Sequence, residues 1–493
     1  MKRFAALVVI AVLTVGGVYV FSAPQDKLIG VNVVLKTGIT KAALAELGRF
    51  GRVRDEIPVL NAVTLQARES ELASIQALPF VESASPDAER TGAPIDTVAA
   101  ESFADGWGTW NLDAINVTEP GRDTRQVALD GTGVYVAVLD SGLLDSWRQY
   151  FPEERIAVEY ARSFGGGGGE VGTVSSQPNK WEHDQNSHGT HVTSTILGYA
   201  FGPSPIAGVA PMATVVPVKV LNQTGSGWSS VIARGIVYVA DLKAGPLASH
   251  PVVINMSLGG GRLDAEGGAA SDDAIGKGVI IVASAGNEGE NGMGYPGAYA
   301  PVISVAASGW IGEWYSSTWW YALDVADPVN PAQFYITDFS SREKTGQDLD
   351  VTAPGSWVLG PYQTNSGQTS FYFLGGTSMA SPHVAGIVAL MAQKNPGLTA
   401  AAAETILQDT AIPLPPGARN VRDGYGGIAT YSWGADATGW GLVTADAALA
   451  GALAGLSAER KARLMQVLGE RKSAAAGPAL MAEATAGETA VRA

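Results

Sequence analysis

The sequence contains no cysteine. Disulfides, thiolate metal sites and a cysteine nucleophile are therefore excluded, and stability must come from packing or bound ions. Cations are scarce as well: 32 Lys and Arg stand against 47 Asp and Glu, a formal net charge of −15. A phosphate backbone is bound by clustered Lys and Arg, so a nucleic-acid partner is excluded. Beyond residue 21 no apolar run reaches transmembrane length. With 61 glycines and 46% hydrophobic residues, the chain suits a compact, glycine-turned α/β protein. Its 493 residues imply a large core with one or two accessory domains.

The N-terminus has the layout of an export signal. Lys2 and Arg3 precede an apolar run over 4–21, followed by Ser22-Ala23-Pro24-Gln25. Residues 1–23 are expected to be a signal peptide, or a membrane anchor if left uncleaved. The protein is expected to be extracellular or periplasmic.

Over 28–87 the apolar period switches repeatedly, in the order βαββαβ of a small α+β ferredoxin-like domain. Residues 88–104 lack apolar periodicity and read as an exposed linker. From 105 to 450 continuous apolar runs alternate with helical patterns. Gly133-Val134-Tyr135-Val136-Ala137-Val138-Leu139 is one such run, and 213–221, 251–256 and 278–284 are others. Runs apolar on both faces, separated by helices, predict a mostly parallel central sheet with helices over it and active residues at the strands' carboxyl ends. Residues 310–339 carry Trp310, Trp314, Trp319 and Trp320 and read as an inserted loop or hairpin. Residues 451–493 are Ala-rich and read as a tail, helical in part or disordered.

Three polar residues sit where strands or turns meet helices: Asp140 after the 133–139 run, His188 at a helix start, and Ser378 between Gly375-Gly376-Thr377 and a helix. A hydroxyl at a helix N-terminus faces free N–H groups and the positive end of the dipole. A nucleophile and its oxyanion would be stabilised there. Each residue alone has a plainer reading, as a cap or a packed histidine. His183, His188 and His191, within nine positions, also fit a zinc site.

The order Asp, His, Ser is that of subtilisin. The chain from about 107 to 448 resembles the subtilase family of serine endopeptidases. The matching motifs are Val138-Leu139-Asp140-Ser141-Gly142, Ser187-His188-Gly189-Thr190-His191-Val192, Ala285-Gly286-Asn287-Glu288-Gly289 and Gly376-Thr377-Ser378-Met379-Ala380-Ser381-Pro382. The resemblance implies a three-layer α/β domain and an Asp140–His188–Ser378 triad, with Asn287 in the oxyanion hole. It makes His191 and His383 structural and leaves no catalytic metal. A polypeptide substrate would add a strand between Gly225-Ser226-Gly227 and Ser257-Leu258-Gly259, with Gly294 at the floor of the pocket for the acyl residue and Glu288 at its rim. Pro382 is expected in the first helical turn.

The 28–87 segment, with Leu60-Asn61-Ala62-Val63-Thr64 and Pro79-Phe80-Val81-Glu82-Ser83, is similar to subtilase inhibitor propeptides. It would act as an intramolecular inhibitor, removed by self-cleavage within 88–106 of a monomeric zymogen. No cofactor is implied. Where many subtilases have a His-x-Asp calcium turn, this chain has Leu143-Leu144-Asp145, which leaves a structural calcium without its usual motif. The competing reading is a non-catalytic surface protein that binds peptides or adheres through the aromatic insertion.

Overall fold

The computed structural model describes residues 26–92, 96–99, 109–118, 125–165, 175–201, 204–314, 325–365, 367–424 and 426–452. The expected export signal, the expected tail from 453 onward and the centre of the aromatic insertion lie outside these residues.

The first domain has the expected βαββαβ order. Its four strands form an antiparallel sheet in the order Gly51–Ile57, Ala62–Arg68, Leu28–Leu35, Val81–Pro86. Alternation along Leu28–Leu35 sends Val31 and Val33 into a core with Leu47, Leu65 and Ile75. An antiparallel sheet of this size leaves its other face to water unless something covers it. Here Asn32, Ala62 and Thr64 on that other face are wholly buried. Ile57, Leu60 and Ala62 join the core of the following domain. The small domain is thus docked, sheet face down, on the large one.

The large domain is built on a nine-stranded sheet. Seven strands run parallel, in spatial order Val351–Pro354, Ile303–Trp310, Val279–Ser284, Val252–Met256, Tyr135–Asp140, Thr214–Lys219 and Arg162–Phe164. Val136 and Val138 point into one apolar layer, with the helices His188–Leu197 and Thr377–Lys394. Ala137 and Leu139 point into the other, with Ser229–Ala244 and Ala265–Gly276. A strand buried on both faces needs no polar alternation, which is why these runs are continuous in sequence. From Tyr135–Asp140 the chain adds Thr214–Lys219 on one side and then Val252–Met256 on the other. That reversal opens a crevice at the carboxyl end of Tyr135–Asp140.

The described part of the aromatic insertion is a sheet edge. Phe334–Ile336 pairs antiparallel with Ile303–Trp310, and Trp310, Phe334 and Tyr335 are buried. Trp314 stands edge-on to Trp357, with ring centroids 5.4 Å apart.

The linker corrects the sequence reading. Asp87 and Arg90 are buried, Glu89–Thr91 pairs antiparallel with Ser226–Trp228, and Asp96–Ala99 pairs antiparallel with Phe371–Gly375. Polar, aperiodic sequence was read as solvated. Backbone pairing into a groove needs no apolar side chains, so it leaves no periodic signal.

Candidate active site

Asp140 is the last residue of its strand and is wholly buried. Its Oδ1 accepts the Ser141 N–H at 2.6 Å, which fixes the carboxylate. His188 opens the helix His188–Leu197, also wholly buried, and its Nδ1 lies 2.8 and 3.0 Å from the two Asp140 oxygens. A carboxylate only accepts, so Nδ1 carries a proton, and in the neutral ring Nε2 presents a lone pair. Nε2 is buried and has no hydrogen-bond partner.

The turn before His188 holds Ser187 at φ 72°. That left-handed conformation costs a β-carbon-bearing residue roughly 1 kcal/mol or more. Asp184 offsets it: its Oδ1 accepts the Asn186 and Ser187 N–H groups at 3.0 and 2.9 Å, and its Oδ2 accepts the Thr190 hydroxyl at 3.2 Å. Burial pushes the Asp184 carboxyl up to about 6, against the lowering influence of Lys219. Lys219 ends the strand beside Asp140 and its Nζ donates to the Ser141 carbonyl. Desolvation lowers its pKa, while Asp184 and Asp140 raise it.

Ser378 is the second residue of the helix Thr377–Lys394, where a backbone N–H has no intrahelical acceptor. Gly376, before it, sits at φ 155°. The Ser378 hydroxyl donates to the Ser257 carbonyl at 3.2 Å, and the Ser257 hydroxyl donates to the Ser378 carbonyl at 2.8 Å. Asp140 and His188 are therefore joined, while the serine hydroxyl is turned away from Nε2. Turning χ1 from one staggered well to another is a small adjustment next to the buried contacts holding these backbones.

The expectation for Pro382 needs correction. It is the sixth residue of the helix and lies inside it, beyond the first turn. Its missing N–H leaves the Ser378 carbonyl without an intrahelical donor, and the Ser257 hydroxyl fills that vacancy. Ser257 is positioned in turn by Asn255, whose Nδ2 donates to its Oγ at 3.1 Å and whose Oδ1 accepts from Ser381 at 2.8 Å.

Asn287 follows the strand Val279–Ser284. Its Oδ1 accepts both the N–H and the hydroxyl of Thr377, each at 2.9 Å. That leaves the Nδ2 donor for the cleft, close to Gly376 at the start of the serine's helix.

The cleft holds the protein's own chain. Thr91 exchanges two backbone bonds with Gly259, at 3.0 and 3.1 Å, and the Gly92 N–H donates to Gly225 at 2.9 Å. A β-carbon on Gly92 would stand 2.8 Å from the Ser257 carbonyl and 3.1 Å from His188 Cε1. Gly225, Ser226, Gly227 and Gly259 thus flank the bound strand, and Ser257 lies where it meets Ser378. Leu258 is buried between them and Gly294 lies against Gly259 and Gly260. Glu288 is exposed, with Oε2 accepting from the Ser341 hydroxyl at 2.9 Å.

His191 and His383 are committed elsewhere. His191 Nε2 lies 3.0 Å from the Val358 carbonyl, and burial lowers its pKa to about 3. His383 lies 2.8 Å from both the Met379 carbonyl and Asn111 Nδ2, and burial lowers it to about 4. Both are neutral packed groups. At the calcium-turn position Leu143 and Leu144 are buried in the core and Asp145 is exposed, so these residues do not fit a cation.

Sequence reasoning missed Asp184, Lys219 and Asn255. The traces they leave are an Asp four residues before a helix-opening His, and single polar residues inside otherwise apolar strands.

A family model described as the subtilase family matches residues 131–428. A thermostable alkaline protease of Halalkalibacterium halodurans is 31% identical over 347 residues, 70% of this chain and 75% of that protein. A subtilisin of Bacillus pumilus is 35% identical over 290 residues, 58% of this chain and 86% of that protein. Among solved structures, fervidolysin from Fervidobacterium pennivorans, described as a keratinolytic enzyme related to subtilisin, matches with a TM-score of 0.60 at 23% identity. That match covers 86% of this chain and 61% of fervidolysin, and at that identity it concerns the fold.

Proposed function

The chain belongs to the subtilase family and is a subtilisin-like serine endopeptidase, and on that premise we propose that Asp140, His188 and Ser378 are its triad, held in an exported zymogen. The observation that carries this is the Glu89–Gly92 segment, paired between Ser226–Trp228 and Gly259 with Gly92 against the His188 ring. A polypeptide substrate takes the same path after that segment leaves.

In the reaction the Ser378 hydroxyl rotates to His188, and Oγ attacks the scissile carbonyl as Nε2 takes its proton. Asp140 keeps Nδ1 protonated and stabilises the imidazolium. Charge on the carbonyl oxygen is met by Asn287 Nδ2 and the Ser378 N–H. Collapse expels the amine, which takes the proton from Nε2 and leaves an acyl-enzyme on Ser378. Water, deprotonated by the same nitrogen, releases the acid. No step calls on a cofactor.

The 28–87 domain covers the two helices Ser229–Ala244 and Ala265–Gly276 and delivers the linker to the cleft, as an inhibitor does. The buried Asp87 carboxylate accepts the Ser230 N–H at 3.0 Å and the Ser229 and Ser230 hydroxyls at 2.9 and 2.6 Å, at the start of the first of these helices. Self-cleavage of the linker then frees a monomeric enzyme. A Ser378→Ala variant expressed in a protease-free host should accumulate as unprocessed precursor. Normal maturation of that variant would overturn self-processing.

A further inference from the structure

Among the linker residues whose side chains are described, Arg90 is the buried one with a charged partner. It enters a pocket between the helices Ser229–Ala244 and Ala265–Gly276, lined by Ile232, Ile236, Leu263 and Tyr299. Within it the guanidinium Nη2 lies 3.0 Å from Asp264 Oδ2 and 2.7 Å from the Arg262 carbonyl, and Nη1 donates to the Glu89 carbonyl at 3.1 Å. Both side chains of the ion pair are 3% exposed. Asp264 is held in place as the N-cap of Ala265–Gly276, its Oδ1 accepting the Gly267 N–H at 2.7 Å.

The register of the segment follows from its backbone bonds. Thr91 pairs with Gly259, and Gly92 bonds Gly225 and lies against His188, so a substrate bound in this register has as its acyl residue the one that follows the place of Gly92. Counting that acyl residue as the first, Arg90 is the fourth. We infer that Asp264 makes this cleft selective for substrates carrying a basic side chain at the fourth position before the scissile bond. The inference rests on the protease reading of the cleft.

The physical reason is asymmetric. An arginine places its cation on a carboxylate already oriented by the helix N-terminus, in an apolar surround that strengthens the pair. An apolar side chain in the same pocket strips water from Asp264 and gives it no counter-charge. A glutamate adds a second carboxylate. Discrimination thus comes mainly from the penalty on wrong residues rather than from the worth of the pair.

The test uses the mature enzyme and quenched peptides identical except at the fourth position, which is Arg, Lys, Leu or Glu. Arg should exceed Leu in kcat/KM by at least about tenfold, with Glu the poorest. In Asp264→Asn, which retains a good N-cap without the charge, the Arg-to-Leu ratio should fall to within about threefold of unity. A wild-type enzyme that cleaves the Leu peptide as fast as the Arg peptide overturns the inference and leaves the protease reading intact. This comparison needs no variant to fold. Failure to cleave any of the four peptides, or unfolded casein, would overturn the protease reading and this inference with it.

Discussion

Among single residues, His188 and Asn287 each offer the cleft an atom that no other protein group claims. His188 Nε2 is buried without a partner, which is costly for a nitrogen that serves only structure. Asn287 has its oxygen occupied twice by Thr377, so its amide donor is the half left for a substrate. Asn287→Leu should lower kcat by on the order of 10²–10³, the loss known for removing such a donor in subtilisin, with KM little changed. Steady-state kinetics on one peptide would check it, and an unaffected kcat would remove Asn287 from the oxyanion hole.

Among the elements, helix starts do most of the positioning. Asp184 braces the turn that leads into His188–Leu197, Asp264 caps Ala265–Gly276 beside the cleft, and Asp87 caps Ser229–Ala244 from the N-terminal domain. One carboxyl at this contact is of another kind. Glu266 is fully buried and accepts the Thr64 hydroxyl at 3.2 Å on each oxygen. Burial, reinforced by the carboxylates of Asp87, Asp264 and Asp55, pushes its pKa well above the ordinary 4.5. The facing cations Arg54, Arg90 and Arg234 pair with those three carboxylates. A pKa raised by docking means that docking is fully supported below the undocked value and weakens as pH rises towards the docked one. Release of the N-terminal domain should therefore quicken as pH rises above about 5. Glu266→Gln should flatten part of that dependence, read as release followed by size-exclusion chromatography across pH. An unchanged slope would remove Glu266 as a contributor.

Across the whole molecule, what was legible in the sequence was whatever leaves a periodic or motif signal. The buried parallel strands read as unbroken apolar runs because both their faces are covered. The βαββαβ unit read from its changes of period. Asp140, His188, Ser378 and Asn287, the residues proposed for the triad and the oxyanion hole, read from motif context. Features built on backbone pairing or on single polar residues did not read. Glu89–Thr91 and Asp96–Ala99 pair through the main chain, and the hairpin Gly417–Arg422 with Ile428–Trp433 is mostly polar. Pro382 was misplaced because its role depends on Ser257, 125 residues upstream in sequence, and not on its own helix. The account stands or falls on Ser378 as the nucleophile activated by His188. The direct measurement is labelling of the processed protein with a fluorophosphonate, followed by peptide mass spectrometry. The account predicts a single stoichiometric adduct, on the peptide bearing Ser378. An enzyme that hydrolyses peptides while Ser378 stays unlabelled would contradict it.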